Sequence, residues 1–265
     1  MAKILAIANQ KGGVGKTTTT VNLAASLAAH GQRVLLVDLD PQGNATMGSG
    51  VDKHKLSASV YHVLLGIRTL AAARVRSEAG KFDVLPSNRD LAGAEVELVD
   101  MENREARLRF QLHGVADEYD FILVDCPPTL NLLTLNGLCA ARAVMIPMQC
   151  EYYALEGLSD LVNTIRRVRS SLNSELEIEG LLRTMFDLRS TLAQQVSAQL
   201  QQHFGDKVYK TVIPRNVRLA EAPSYGVPVL LHDKNSKGAL AYLALATELL
   251  GKSAATQGEN DGKTE

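Results

Sequence analysis

Short apolar runs alternate along the chain with longer stretches whose apolar positions recur at helical spacing. KILAIA (3–8), RVLLVDL (33–39), FDVLP (82–86), FILVD (121–125), AVMIPM (143–148), IEGLLRTMF (178–186), KVYKTVI (207–213) and PVLL (228–231) read as strands. Several are continuously apolar, the pattern of strands buried on both faces of a parallel sheet. Helices are expected between them at 16–30 (closed by Gly31), 90–117, 131–141, 155–172, 191–204 and 236–250. Such alternation implies an α/β fold, a doubly wound, mostly parallel sheet with helices on both faces and right-handed crossovers. It is expected to form one domain over 1–250. The remainder, GKSAATQGENDGKTE (251–265), is polar and without periodicity, which predicts a disordered tail.

Composition narrows this picture. With 265 residues, one large core is the default. Tryptophan is absent and aromatics reach only 5%, so that core is built from Leu, Val, Ile and Ala. A formal net charge of −1 argues against a wholly basic nucleic-acid protein but leaves room for a local basic patch. Cys126, Cys139 and Cys150 form no C-x-x-C pair, so neither a zinc site nor a disulfide framework is expected, and a reduced, cytoplasmic setting fits. The first apolar run leads straight into a glycine loop, which does not suit a signal peptide. No apolar run reaches the ~18 residues of a membrane-spanning helix.

That glycine loop is NQKGGVGKTTTT (9–20). Strand, loop and helix in succession are the context of a phosphate-binding P-loop. Backbone N–H groups from Gly12, Gly13, Val14, Gly15, Lys16, Thr17 and Thr18 would converge on phosphate oxygens at a helix N-terminus. Lys16 would neutralise the β- and γ-phosphates and the Thr17 hydroxyl would ligate Mg2+. The pattern departs from G-x-x-x-x-G-K-[ST] in one respect: position 10 is Gln10, and a second lysine, Lys11, follows it. FILVD supplies the carboxylate a metal site needs, Asp125, at a strand end, and Cys126-Pro127-Pro128 then opens a loop suited to sensing a γ-phosphate. In LLVDLDPQGN, Asp38 and Asp40 share one face of a strand. Asp40 could orient an attacking water and Asp38 could hold magnesium-bound water or Lys16; an Asp-Pro turn is the plainer alternative.

KGGVGKT with Lys11, LLVDLDPQGNAT, FILVDCPP, MIPMQCEYYALEGL and VIPRNVRLAEAPSYG fall in order from residue 1 to about 250. Together they resemble the ParA/Soj chromosome-partitioning ATPases, part of the deviant-Walker P-loop group that includes MinD and the nitrogenase iron protein. The resemblance implies a P-loop NTPase of deviant Walker A type that binds ATP and Mg2+ and hydrolyses ATP weakly. It implies that Lys11 reaches across a homodimer to the partner's nucleotide, a charge supplied in trans. Asp40 matches the residue that positions the hydrolytic water, and Thr17 with Asp125 matches the magnesium pair. Thr184-Met185 and Pro214 to Asn216 match loops enclosing the adenine, which makes Met185, Pro214 and Asn216 nucleotide contacts.

Partitioning also calls for DNA binding. Residues 161–218 carry nine Lys/Arg against five Asp/Glu. Arg166, Arg167 and Arg169 cluster at one helix end, a placement that also suits the helix dipole. Arg189 and Arg218 match family positions implicated in DNA contact, which would be phosphate-directed, sequence-independent and salt-sensitive. A ParB-type centromere-binding partner would stimulate hydrolysis and release the dimer, leaving a cytoplasmic, nucleoid-associated protein. The alternatives are a MinD-like or cargo-positioning spatial regulator, or a nucleotide-gated scaffold that does not hydrolyse. No apolar face in 251–265 suggests membrane attachment of the MinD kind. Neither Cys126 nor Cys150 stands where the iron protein holds its cluster, and with Lys11 so near the start no preceding helix-turn-helix domain is expected.

Overall fold

The computed structural model describes residues 2–261. Eight strands form one sheet: β1 (Lys3–Ile7), β2 (Val34–Asp38), β3 (Val75–Ser77), β4 (Phe82–Leu85), β5 (Phe121–Asp125), β6 (Ala143–Gln149), β7 (Glu177–Phe186) and β8 (Val208–Pro214). Their spatial order is β3-β4-β2-β5-β1-β6-β7-β8, parallel throughout except for the β3–β4 pair.

Strand alternation divides the core in two. Ala6, Leu35, Val37, Ile122 and Val124 face the helices Leu91–Glu97, Leu132–Ala140 and Ala154–Ser171. Leu5, Ile7, Val34, Leu36 and Leu123 face α1 (Lys16–Ala29) and the C-terminal helix Lys237–Asp261. Both sets are buried, which is why these runs are apolar at every position. In β1, β2 and β5 the register sets Ile7 and Asp38 both beside Asp125, so three strands end together at the edge where ligands of such sheets bind.

Several elements differ from the sequence expectation, among them the short helices Asn44–Gly48, Val60–Leu64, Leu70–Ala73 and Val217–Glu221, which it does not include. The helix expected over 90–117 is broken: Leu91–Glu97 passes into a 3-10 turn at Leu98–Asp100, and a new helix begins at Arg107. Asn103, at φ 52°, reverses the chain, and Asn136 docks the second segment by accepting from Leu108 N and donating to Arg104 O. PVLL is a helical turn, Val229–His232, begun by Pro228 and held by Val229 N donating to Asn22 Oδ1. The short edge strand β3, with Arg and Ser in three residues, carries too little apolar signal to be foreseen. The final helix continues to Asp261 where a disordered tail is expected from 251. At the start of this extension Lys252 Nζ donates to Asp206 O and Lys3 Nζ to Ser253 Oγ. Residues 262–265 of that expected tail lie outside the described residues.

Candidate functional site

The glycine loop runs from the end of β1 to the first turn of α1. Gly13 and Gly15 adopt φ 74° and 88°, left-handed values that glycine takes without strain. The neighbouring strand ends clasp the loop: Thr184 Oγ1 donates to Val14 O at 2.8 Å, and Gln149 Nε2 to Gly13 O at 3.1 Å. Asn9 completes the clasp, its Nδ2 donating to Pro147 O while its Oδ1 accepts from Lys11 N.

Lys16 opens α1, is almost fully buried, and donates from Nζ to Lys11 O at 3.1 Å. Burial lowers its pKa; the nearby Asp125, Cys126 and Asp40 oppose that shift. Thr17 Oγ1 donates to Asp125 Oδ2 at 2.7 Å, and Thr20 Oγ1 lies 3.0 Å from Asp125 Oδ1. Burial and the charge of Asp38 push the Asp125 carboxyl well above the usual carboxylate range. A hydroxyl and a buried carboxylate converging in this way form an oxygen-only donor pair, the chemistry that suits Mg2+.

Asp40 lies beyond the end of β2, half-buried, with Oδ1 accepting from Gln42 N. Its negative charge is among those that oppose the lowering of the Lys16 pKa by burial. Asp38, offered to magnesium-bound water or to Lys16, is fully buried, and the bonds it makes are acceptances from Thr46 N, Thr46 Oγ1 and Asp40 N. Burial raises its pKa, and these hydrogen bonds partly counter it.

Lys11 projects away from this cluster. Its Nζ pairs with Glu151 Oε2 at 2.6 Å, both side chains about half exposed. Glu151 sits in the quoted EYYALEGL segment, but nothing in its spacing marks it as Lys11's partner. Met185 and Pro214 end adjacent strands, with Phe186 in register with Pro214. Met185 takes φ 48°, and its Sδ accepts from Gln149 Nε2. Asn216 caps the turn Val217–Glu221 by accepting from Arg218 N. Both expected DNA-contact arginines are paired within the chain. Arg189 makes two bonds to Asp187, whose pKa it holds down at about 2. Arg218 pairs with Glu221 at 2.8 Å and Asp233 at 3.4 Å. Cys126, Cys139 and Cys150 are free and buried. No helix among the described residues is long and apolar enough to cross a membrane.

A glycine loop between β1 and α1, a strand-end aspartate meeting the loop threonine, and a second lysine ahead of the loop define a P-loop nucleotide-binding protein of deviant-Walker type. The profile of a family described as an AAA domain matches residues 2–178. The chain is 55% identical to the sporulation initiation inhibitor protein Soj of Bacillus subtilis, covering 94% of this chain and 98% of that one. It is 51% identical to the chromosome partitioning protein ParA of Caulobacter vibrioides, covering 94% of each. Among solved structures, cobyrinic acid a,c-diamide synthase from Mycobacterium smegmatis, with bound ADP and magnesium, superposes with TM-score 0.83 at 41% identity, covering 94% of each chain. The chain belongs to the ParA/Soj family of chromosome-partitioning P-loop ATPases.

Proposed function

We propose that the protein is an ATP-hydrolysing switch for chromosome partitioning. The observation that carries this is the bond from Thr17, at the start of α1 next to the buried Lys16, to Asp125 where β1, β2 and β5 end side by side, with Asp40 two residues past the end of β2. The loop from Gly12 to Thr18 cradles the ATP phosphates, and Met185, Pro214 and Asn216 bound the adenine. Thr17 and Asp125 hold Mg2+, which supplies positive charge against the β- and γ-phosphates when bound. Lys16 neutralises the phosphate oxygens, and Asp40 orients the water for in-line attack.

Two ATP-bound protomers pair with their loops facing. Each Lys11 then leaves Glu151 and adds its charge to the partner's nucleotide. An exposed ion pair is worth roughly 0–1 kcal/mol, so the exchange costs little. The paired form binds DNA through phosphate contacts from Arg189, Arg218 and the surrounding basic surface. A ParB-type partner stimulates hydrolysis, and the protomers separate and leave the nucleoid.

The test is fluorescence anisotropy of a generic duplex with ADP, with ATP, and with ATP at rising salt. Binding only with ATP, lost steeply as salt increases, is expected. Equal binding in every nucleotide state, or none in any, refutes the partitioning role and directs attention to other cargo.

A further inference from the structure

The backbone of Asp40 is held by a closed circuit of buried and partly buried hydrogen bonds. Asp40 N donates to Asp38 Oδ1 at 3.1 Å. The other oxygen of Asp38 accepts from Thr46 Oγ1 at 2.7 Å and from Thr46 N at 2.8 Å. Thr46 Oγ1 in turn accepts from Ser87 N at 2.8 Å. Ser87 Oγ closes the circuit by donating to Asp40 O at 2.8 Å. Asp38, Thr46 and Ser87 are all 0% exposed.

The three side chains come from separate places: the end of β2, the short helix α2 (Asn44–Gly48), and the loop just past β4. The turn between Asp40 and α2 is pressed onto the same loop. Gly43 has φ 62°, and a Cβ there would stand 2.7 Å from Ser87 O. A buried carboxylate and two buried hydroxyls are a costly way to join three elements that apolar packing could join alone. What the polar circuit adds is direction: both peptide groups flanking the Asp40 side chain have fixed partners.

We propose that Thr46 and Ser87 are positioning residues for ATP hydrolysis, fixing the Asp40 carboxylate relative to the phosphate loop. The inference rests on the reading of Asp40 as the water-orienting group. Positioning of this kind acts on rate rather than on affinity. A displacement of about 1 Å in a reacting group costs on the order of 100-fold, while the loop, Lys16 and Thr17 that bind nucleotide stay untouched.

The experiment compares the full chain with Thr46→Val, Thr46→Ser, Ser87→Ala and Asp40→Ala. Single-turnover ATP hydrolysis and the Kd of a non-hydrolysable ATP analogue are measured separately. Thr46→Val and Ser87→Ala are expected to lose at least about tenfold in rate while keeping the parental Kd. Thr46→Ser, which retains the hydroxyl relay, is expected to keep the parental rate. Parental rates in Thr46→Val and Ser87→Ala alongside an inactive Asp40→Ala overturn the positioning role and leave Asp40 catalytic. So does a fall in rate matched by an equal fall in affinity, or a Thr46→Ser as slow as Thr46→Val, since either marks general loosening. Should Thr46→Val fail to fold, Ser87→Ala, which removes a single oxygen, decides alone. A parental rate in Asp40→Ala refutes the reading of Asp40 itself, and with it the need for any such circuit.

Discussion

Asp125 is buried, its hydrogen-bond partners Thr17 and Thr20 are neutral, and the nearby Lys16 donates to Lys11 O rather than to this carboxylate. Ionising it in the nucleotide-free protein is therefore costly, and Asp38 adds repulsion. Asp125→Asn keeps the shape, and the threonine hydroxyls can rotate to serve its amide. One pK unit corresponds to about 1.36 kcal/mol, and buried carboxylates shift by up to several units. A conservative gain is about 2 kcal/mol at pH 8, or roughly 4–8 °C in Tm for a chain of this size. The sign with pH follows from linkage. Because the folded-state pKa is raised, the native state holds an extra proton between the ordinary carboxylate value and the shifted one. Wild-type stability therefore falls as pH rises through that window, and the variant loses this slope. Thermal unfolding followed by circular dichroism at pH 5, 6, 7 and 8, without nucleotide or magnesium, tests this. A variant no more stable than wild type at pH 8, or one with an unchanged pH slope, refutes the reading that burial and Asp38 outweigh the charge of Lys16 at Asp125. With ATP and magnesium added, wild type should gain more stability than the variant, because the lost carboxylate is half of the donor pair.

Three further outcomes are expected. Lys16→Ala removes the buried ammonium beside Asp125 and should abolish binding of a fluorescent ATP analogue; a wild-type Kd would exclude the phosphate role. Asp187→Asn releases Arg189 from its two-bond pair, so DNA binding in the ATP state should strengthen and its salt slope should steepen by about one unit per added phosphate contact. An unchanged slope would remove Arg189 from the DNA surface. Gly43→Ala forces a Cβ to within 2.7 Å of Ser87 O at φ 62°; a loss of about 2–3 kcal/mol, or roughly 5–10 °C in Tm, should accompany slowed turnover, and an unchanged Tm would show that the turn yields without cost.

The sheet and the phosphate loop are legible in the sequence because their signals are local. A strand buried on both faces is apolar at every position, and Gly15-Lys16-Thr17 must follow one another directly. Asp125 is legible for the same reason, standing at the end of its own apolar run. What joins distant segments is silent. Ser87 reaches Asp40 across 47 positions, and neither residue's neighbours reveal the contact. The pairing of Lys11 with Glu151 spans 140 positions and leaves no trace in either motif. Asp38 looks like a site residue because it is acidic and two from Asp40, yet the pleat and α2 turn it inward to Thr46. PVLL is apolar enough for a strand, but Pro228 and the bond to Asn22 make it helical.

The clasp on the glycine loop bears on the timing of synthesis. Val14 is bonded to Thr184 and Gly13 to Gln149, while the expected adenine walls wait for Pro214 and Asn216. A ribosome must therefore emit most of the chain before the first loop it made acquires its partners. ATP competence is on this account a late event in biogenesis. Retention on an ATP resin would then report on completion of the sheet, and prematurely terminated chains would pass through.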